Sequence, residues 1–284
     1  MSDLAASLAD ALGQPVAQLE PVAGGDLNDA FAATLADGSR VFVKASADPA
    51  AAGSFAAEAA GLRWLAEARA LAVPDVLVTG PAFLVLRWID AGPPTPAADE
   101  ALGRGLAALH ASGAPSFGGP ADRLRIGPLT LPNEAASDWP AFYAARRLEP
   151  LARLAHDRGA LPPEASRLLD RLLARLPDLA GPNEPPARVH GDLWSGNVLV
   201  DRSEQPWLID PAAHGGHREL DLAMLRLFGG PSARCFAAYE EQTPLAPGAP
   251  DRVALWQLAP LLLHAALFGP SWGARATSVL RRYA

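Results

Sequence analysis

His190-Gly191-Asp192-Leu193-Trp194-Ser195-Gly196-Asn197 is the stretch that decides the fold. It lies between short β-like runs at 188–190 and 198–200, so a turn there can present Asp192 and Asn197 to a cleft together. His-x-Asp-Leu-x-x-x-Asn is the spacing of a kinase catalytic loop, where the aspartate is the base and the asparagine holds magnesium. With six His, 19 Asp and four Asn in 284 residues, the pattern His-x-Asp-x-x-x-x-Asn has roughly a 0.6% chance of arising at random. Eighteen positions after Asp192, Trp207-Leu208-Ile209-Asp210-Pro211 ends an apolar strand in an acid. A kinase fold places its second metal-binding aspartate there. Mg²⁺ takes one or two protein oxygens and completes its shell with phosphates and water, a role that suits Asn197 and Asp210.

Working outward, the next signal is compositional. Lys44 is the only lysine among 24 lysines and arginines. In a chain that otherwise uses arginine, a retained lysine marks a site where a compact ammonium is required and a broad planar fork is not tolerated. Lys44 ends the strand-like run Val41-Phe42-Val43-Lys44, whose alternation puts Phe42 and Lys44 on one face. The helix expected over 51–70 carries Glu58 in its second or third turn. Glu58 is the expected partner that fixes Lys44 on the nucleotide phosphates, ahead of Glu67. Gly24-Gly25-Asp26-Leu27-Asn28 falls where a phosphate-covering loop would lie, although as a glycine motif it is weak.

Strands are expected over 16–22, 30–35 and 40–44, the last two joined by Asp37-Gly38, with a further hairpin over 76–78 and 83–88. The order strand, strand, strand, helix, strand, strand predicts a five-stranded antiparallel sheet with one inserted helix. Composition shifts at Gly92-Pro93-Pro94, and beyond it the pattern is mainly helical. Helices are expected from Thr95-Pro96 onward, then over 139–158, 164–176, 219–228, 252–268 and 271–283. The expectation is an α+β, bilobal, protein-kinase-like fold. Residues 1–90 would form a small antiparallel-sheet N-lobe with one main helix, and 91–284 a larger, mainly helical C-lobe.

The bulk numbers exclude several classes. A net charge of −7 disfavours nucleic acid and membrane surfaces as partners. A single cysteine, Cys235, forbids an intrachain disulfide and fits a reducing cytoplasm. No signal peptide is expected from the acidic opening, and the apolar stretch 255–268 is interrupted by Gln257, Pro260 and His264. There is no Gly-x-x-x-x-Gly-Lys-Ser/Thr, His-Glu-x-x-His or paired Cys-x-x-Cys, so neither a P-loop nor a zinc site is supported.

Among the remaining polar residues, His110 reads as structural and His190 as orienting the loop. Asp221 reads as a buried acceptor for catalytic-loop N–H groups. Trp194, His214, His217 and Trp272 could supply the apolar faces and polar edges that suit a sugar. Glu240, Glu241 and Asp251 are the only acids from 240 to the C-terminus, where an acid-rich clamp for a polycationic aminoglycoside would be expected.

The chain resembles the fructosamine kinase (ketosamine 3-kinase) family, itself related to the aminoglycoside phosphotransferases, over nearly its whole length. The likeness rests on Gly24-Gly25-Asp26-Leu27-Asn28, Phe42-Val43-Lys44, residues 55–58 and Phe83-Leu84-Val85-Leu86, then on the His190–Asn197 loop and Leu208-Ile209-Asp210-Pro211. It continues through residues 216–224 and Leu267-Phe268-Gly269. Trp194-Ser195-Gly196-Asn197 with Gly216-His217-Arg218-Glu219 is the narrow part of it. The resemblance implies ATP- and Mg²⁺-dependent phosphorylation of a ketosamine, a glycated small amine or protein lysine, at its 3-hydroxyl. In the family this destabilises the adduct and releases the amine, a deglycation. It also implies that the backbone at Arg87, Trp88 and Ile89 hydrogen-bonds adenine.

Relatives often carry two tyrosines where this chain has His214-Gly215, and an asparagine at Ala266. The smaller Gly215 and Ala266 predict a roomier substrate pocket. Gly191 stands where regulated protein kinases have an arginine, so control by loop phosphorylation is not expected. The alternatives are a related phosphotransferase acting on an aminoglycoside, choline-like or other small hydroxyl substrate, and a catalytically dead pseudokinase. Joint retention of Lys44, Asp192, Asn197 and Asp210 opposes the latter.

Overall fold

The computed structural model describes residues 2–22, 29–48 and 52–284. The expected glycine-rich loop, with Gly24 and Gly25, lies outside the described residues. Helix α1 (Ser2–Leu12) leads into β1 (Val16–Pro21), β2 (Asp29–Leu35) and β3 (Arg40–Ala45), then α2 (Ala52–Glu67), β4 (Val76–Thr79) and β5 (Phe83–Arg87). The five strands form one antiparallel sheet, as the pattern predicts, and its spatial order is β1-β2-β3-β5-β4.

Strand alternation sorts the β3 side chains between two helices. Val41 and Val43 pack with Leu8 of α1, Ala33 and Val85. Phe42 lies against Phe55, Ala59 and Leu62 of α2. Lys44 shares the parity of Phe42, so β3 itself aims the lysine at α2.

Helix α3 (Pro96–Ala111) starts as Thr95-Pro96 predicts. The Thr95 hydroxyl accepts from the Ala98 N–H at 3.1 Å, and proline occupies the first turn, where no N–H is needed. The hairpin β6 (Arg123–Ile126) and β7 (Leu129–Pro132) follows, unexpected from the pattern because both strands are only four residues long.

The helix expected over 139–158 is α4 (Trp139–Tyr143) and α5 (Glu149–Asp157) joined by a π-helical turn, Ala144–Leu148. Pro150 has no N–H to offer the Arg146 carbonyl, and the Arg147 guanidinium donates to it instead, at 3.0 Å. Next come α6 (Glu164–Leu179), β8 (Ala187–Val189), β9 (Val198–Val200), β10 (Pro206–Leu208), β11 (His214–Gly216) and α7 (Glu219–Leu227). Helix α8 (Ala233–Gln242) was not expected. It packs so closely on α3 that a Cβ at Gly103 would lie 2.0 Å from the Cys235 carbonyl oxygen.

The expected helix 252–268 is broken at Gln257 into α9 (Ala249–Trp256) and α10 (Leu258–Phe268). The cause is again a proline. Pro260 cannot donate to the Trp256 carbonyl, and the buried Tyr143 hydroxyl lies 3.1–3.2 Å from the Leu255 and Trp256 carbonyls. Helix α11 (Pro270–Tyr283) closes the chain. Trp139, Tyr143 and Trp256 are buried together in the main core of this helical part. No helix among the described residues is long and apolar enough to cross a membrane.

Candidate active site

Two short hairpin-like pairings hold the catalytic-loop segment. β9 pairs with β10, and β11 pairs antiparallel with β8, so the loop 190–197 and the segment after Asp210 are pinned at both ends. The Ile209 N–H donates to the Asn197 carbonyl at 3.0 Å. Gly191 has φ +81°, and a Cβ there would lie 2.1 Å from the Ala212 carbonyl oxygen, so this turn excludes any side chain, arginine included. Asp210 itself is left-handed at φ +55°, a conformation that a non-glycine residue adopts at a cost and that recurs at functional sites.

Beneath the loop lies a fully buried relay. Asp221 accepts from the N–H of His190 at 2.7 Å and of Gly191 at 2.9 Å. The Nε2 of His110 is 3.3 Å from Asp221, and its Nδ1 is 2.9 Å from the Tyr239 hydroxyl. A carboxylate only accepts, so the His110 Nε2–H donates to Asp221 while Nδ1 shares a hydrogen bond with the Tyr239 hydroxyl. Burial works to raise the Asp221 carboxyl, but the donors around it win and hold it low. His190 points its Nε2 at the Ile209 carbonyl, 2.9 Å away, and burial depresses its pKa, so it stays neutral and orients the loop.

Above the relay the charged groups converge. Lys44 Nζ is 2.8 Å from Glu58 Oε1 and 2.5 Å from Asp210 Oδ1. Burial opposes the lysine charge, but the two carboxylates outweigh it and raise its pKa. Burial raises Glu58 despite the lysine beside it. The Asn197 amide nitrogen donates to the Asp192 carbonyl at 2.8 Å and lies 3.4 Å from Asp192 Oδ2, which leaves the amide oxygen as the unspent ligand atom. Burial, with the Asp210 charge second, pushes the Asp192 carboxyl up to about 6.

The connection after β5 has its own anchors. Arg40 stacks over the Trp88 ring at 3.9 Å, and the Gly92 N–H donates to the Val200 carbonyl at 2.7 Å. The Arg87 N–H is spent on the Asp75 carbonyl, so of the main-chain groups at Arg87 only the carbonyl could face a nucleotide base.

The expected substrate residues separate into two pairs. Trp194 is 39% exposed and meets Phe228 edge-on with ring centroids 6.1 Å apart. Phe228 in turn lies 5.7 Å from Trp272, so those two tryptophans share one patch. His214 and His217, only 1% and 3% exposed, do not. His214 donates from Nδ1 to the Ala212 carbonyl and stacks on Phe142 beneath Gly191. His217 stacks on Trp256. Burial depresses both imidazoles, His214 to about 3. They follow Asp210 closely in sequence, but His214 sits on β11 paired with β8 and His217 is stacked on Trp256, and both rings are in the core. The roomier pocket also fails to appear. A Cβ at Gly215 would lie 1.8 Å from the Ser116 carbonyl oxygen, and Ala266 is sealed in the core.

Phe228, His264 and Phe268 complete the aromatic patch and were missed by sequence reasoning. His264 lies 4.7 Å from Trp272 and 5.0 Å from Phe228, and Phe268 lies 5.4 Å from His264. The i, i+4 spacing of His264 and Phe268 on one apolar helix was the available signal.

The sequence profile of the fructosamine kinase family matches residues 1–284. The chain belongs to the fructosamine kinase family. A crystal structure of a candidate fructosamine-3-kinase from Thermobifida fusca YX-ER1 is 45% identical, with a TM-score of 0.93 over 99% of this chain and 98% of that one. A probable ketoamine kinase of Lactiplantibacillus plantarum is 34% identical over 94% of this chain and 95% of its own length. The chloroplastic protein-ribulosamine 3-kinase of Arabidopsis thaliana is 32% identical over 81% of this chain and 72% of its own. Membership of this family gives the fold the bilobal, protein-kinase-like α+β architecture.

Proposed function

We propose that this chain transfers the γ-phosphate of ATP to the 3-hydroxyl of a ketosamine, a fructosamine or ribulosamine, as the first step of a deglycation. The observation that carries the reading is the convergence of Lys44, Glu58, Asp210, Asn197 and Asp192 from four separate segments of the chain. Asp192 takes the proton of the attacking hydroxyl. The sugar oxygen bonds to the γ-phosphorus as the bond to the bridging oxygen of ADP breaks. Lys44, held by Glu58, neutralises the α- and β-phosphates. Gly24 and Gly25 cover those phosphates, and the main chain at Arg87 (through its carbonyl), Trp88 and Ile89 takes the adenine where the 1–90 lobe joins the 91–284 lobe.

The donor set also fits Mg²⁺. The free amide oxygen of Asn197 and the carboxylate of Asp210 are two hard oxygen ligands beside the base. Among the described residues no group of three or more His, Cys, Asp and Glu could hold a metal without such help, which accords with an ion completed by phosphates and water. When bound, the ion supplies charge neutralisation between the β- and γ-phosphates. The exposed aromatic patch that starts at Trp194, two residues past Asp192, offers apolar faces for the sugar and its amine.

The test is an ADP-release screen of the purified chain over fructosyl-, ribulosyl- and erythrulosyl-amines, with kanamycin as a competitor class. Turnover of at least one ketosamine above kanamycin is expected. Faster phosphorylation of kanamycin than of every ketosamine would overturn the substrate assignment.

A further inference from the structure

Leu77, Trp194 and Phe268 are the large hydrophobic side chains most exposed among the described residues, and the latter two belong to the one patch. Apolar surface gathered this way marks a binding face. Its charge is one-sided. The Arg275 guanidinium stands 4.6 Å over Trp272 and is exposed on α11. No carboxylate pairs with it among the described residues. Neither α10 nor α11 contains an acid. The other cation at the Phe228 end, Arg226, is turned away over the Phe236 ring at 3.6 Å.

His264 completes the polar edge. Its Nδ1 is 2.7 Å from the Pro260 carbonyl, which can only accept, so Nδ1 carries the proton and Nε2 offers a lone pair. Burial, together with the Arg275 charge, keeps this imidazole neutral. The patch therefore offers ring faces and edges, one acceptor nitrogen and a guanidinium that no carboxylate pairs among the described residues.

Taking the ketosamine reading as its premise, we propose that Arg275 binds the carboxylate of a free amino acid on the amine half of the substrate. This chain is then selective for glycated amino acids over glycated protein lysines. The reacting hydroxyl has to sit at Asp192, and Trp194 follows two residues later. From Trp194 the ring contacts run through Phe228 to Trp272 and on to Arg275. A ketosamine on the Nε of free lysine, held by its sugar at Asp192, has the longer amine half that this line calls for. A free amino acid ends there in a carboxylate, which a guanidinium binds as a fork. A lysine within a protein offers only neutral amides, which gain far less from an unpaired cation.

The experiment compares kcat/KM for ribulosyl-glycine and Nε-ribulosyl-lysine, each as free acid and as amide, in the full-length wild type, Arg275→Gln and Arg275→Lys. The expected acid-to-amide ratio in the wild type is about tenfold or more for the better pair, the scale of a charge-assisted hydrogen bond. Arg275→Gln should bring that ratio close to one through KM, and Arg275→Lys should retain part of it. A wild-type ratio within about twofold for both pairs, or a ratio that Arg275→Gln leaves unchanged, overturns the assignment while leaving the kinase reading intact. A larger, Arg275-dependent gain from a ribulosamine 5-phosphate would place the anion on the sugar and also overturn it. Turnover of none of these compounds would instead remove the ketosamine premise itself.

Discussion

The charged cluster around Asp192 and the aromatic patch around Phe228 adjoin through Trp194, yet they are assembled by opposite means. In the cluster the polar side chains are tied to one another, with the Asn197 amide oxygen left open. Asp221 fixes two loop N–H groups, Asn197 is tied to Asp192, and Lys44 is clamped between two carboxylates. In the patch the rings hold one another by edge and tilt contacts, and two of them remain open to solvent. The first arrangement suits one chemistry with fixed geometry, and the second suits recognition that can vary among substrates. If so, damage to the cluster should appear in kcat with every acceptor, and damage to the patch should appear in KM for the acceptor alone.

The largest effect belongs to the base. Asp192→Asn should lower kcat by about 10²–10⁴ while ATP binding and the fold persist, because only proton acceptance and nucleophile orientation are removed. Rapid-quench turnover alongside nucleotide titration would measure both. Retention of more than about a tenth of wild-type kcat would falsify the role of Asp192.

Next comes Lys44→Arg, which keeps the charge. Lys44 Nζ sits within 2.5–2.8 Å of two carboxylate oxygens at once, a geometry for a compact ammonium that a planar fork cannot reproduce. Loss of a charge-assisted contact of this kind predicts about a ten- to hundredfold fall in kcat/KM for ATP. Normal ATP turnover by the arginine variant would refute the single-lysine argument.

These two regions were also unequally legible in the sequence. The cluster could be read because its spacing is local. His190 to Asn197 fits in one loop, Asp210 ends the next strand pair, and strand parity aims Lys44 at α2. The relay was half legible: Asp221 was recognisable as a buried acceptor, but its tie to Tyr239 through His110 crosses 129 positions and leaves no local pattern. The patch joins Trp194, Phe228, His264 and Trp272, which only helix packing brings together. Proximity to Asp210 in sequence pointed also to His214 and His217, and strand β11 buries the first while packing on Trp139 and Trp256 buries the second. The same limit applies to the fold. The antiparallel sheet and its strand count followed from hairpin signals, whereas the breaks at the π-helical turn and Gln257 depend on which side chains, Arg147 and the distant Tyr143, take up the carbonyls that Pro150 and Pro260 leave free.

A smaller effect is expected at the junction of the two regions. Trp194→Ala removes an exposed ring whose one ring contact among the described residues is with Phe228. It should raise KM for the ketosamine by about three- to tenfold, the range of a single aromatic contact, with kcat and KM for ATP close to wild type. Initial-rate kinetics varying each substrate in turn would show this. A fall in kcat with KM unchanged would place Trp194 with the charged cluster and erase the division between the regions.

The smallest effect is a pH limb that asks which region titrates. Asp192 must be ionised to accept a proton, and its carboxyl stands near 6 because burial and the Asp210 charge disfavour the anion. Activity should therefore decline as pH falls through about 6, with roughly half lost there and only about a tenth lost at pH 7. Unfolding at this carboxyl cannot be the cause. A folded-state pKa raised above the unfolded value means that the fold binds the proton more tightly, so acid between those values stabilises the fold at this site. Burial pushes His190 and His264 below the ordinary imidazole range, so the variants are needed to tell the limbs apart. The limb should thus appear in kcat for every acceptor and survive His264→Gln and Trp194→Ala. Its disappearance in His264→Gln would assign the titration to the patch and reverse the division of roles between the two regions.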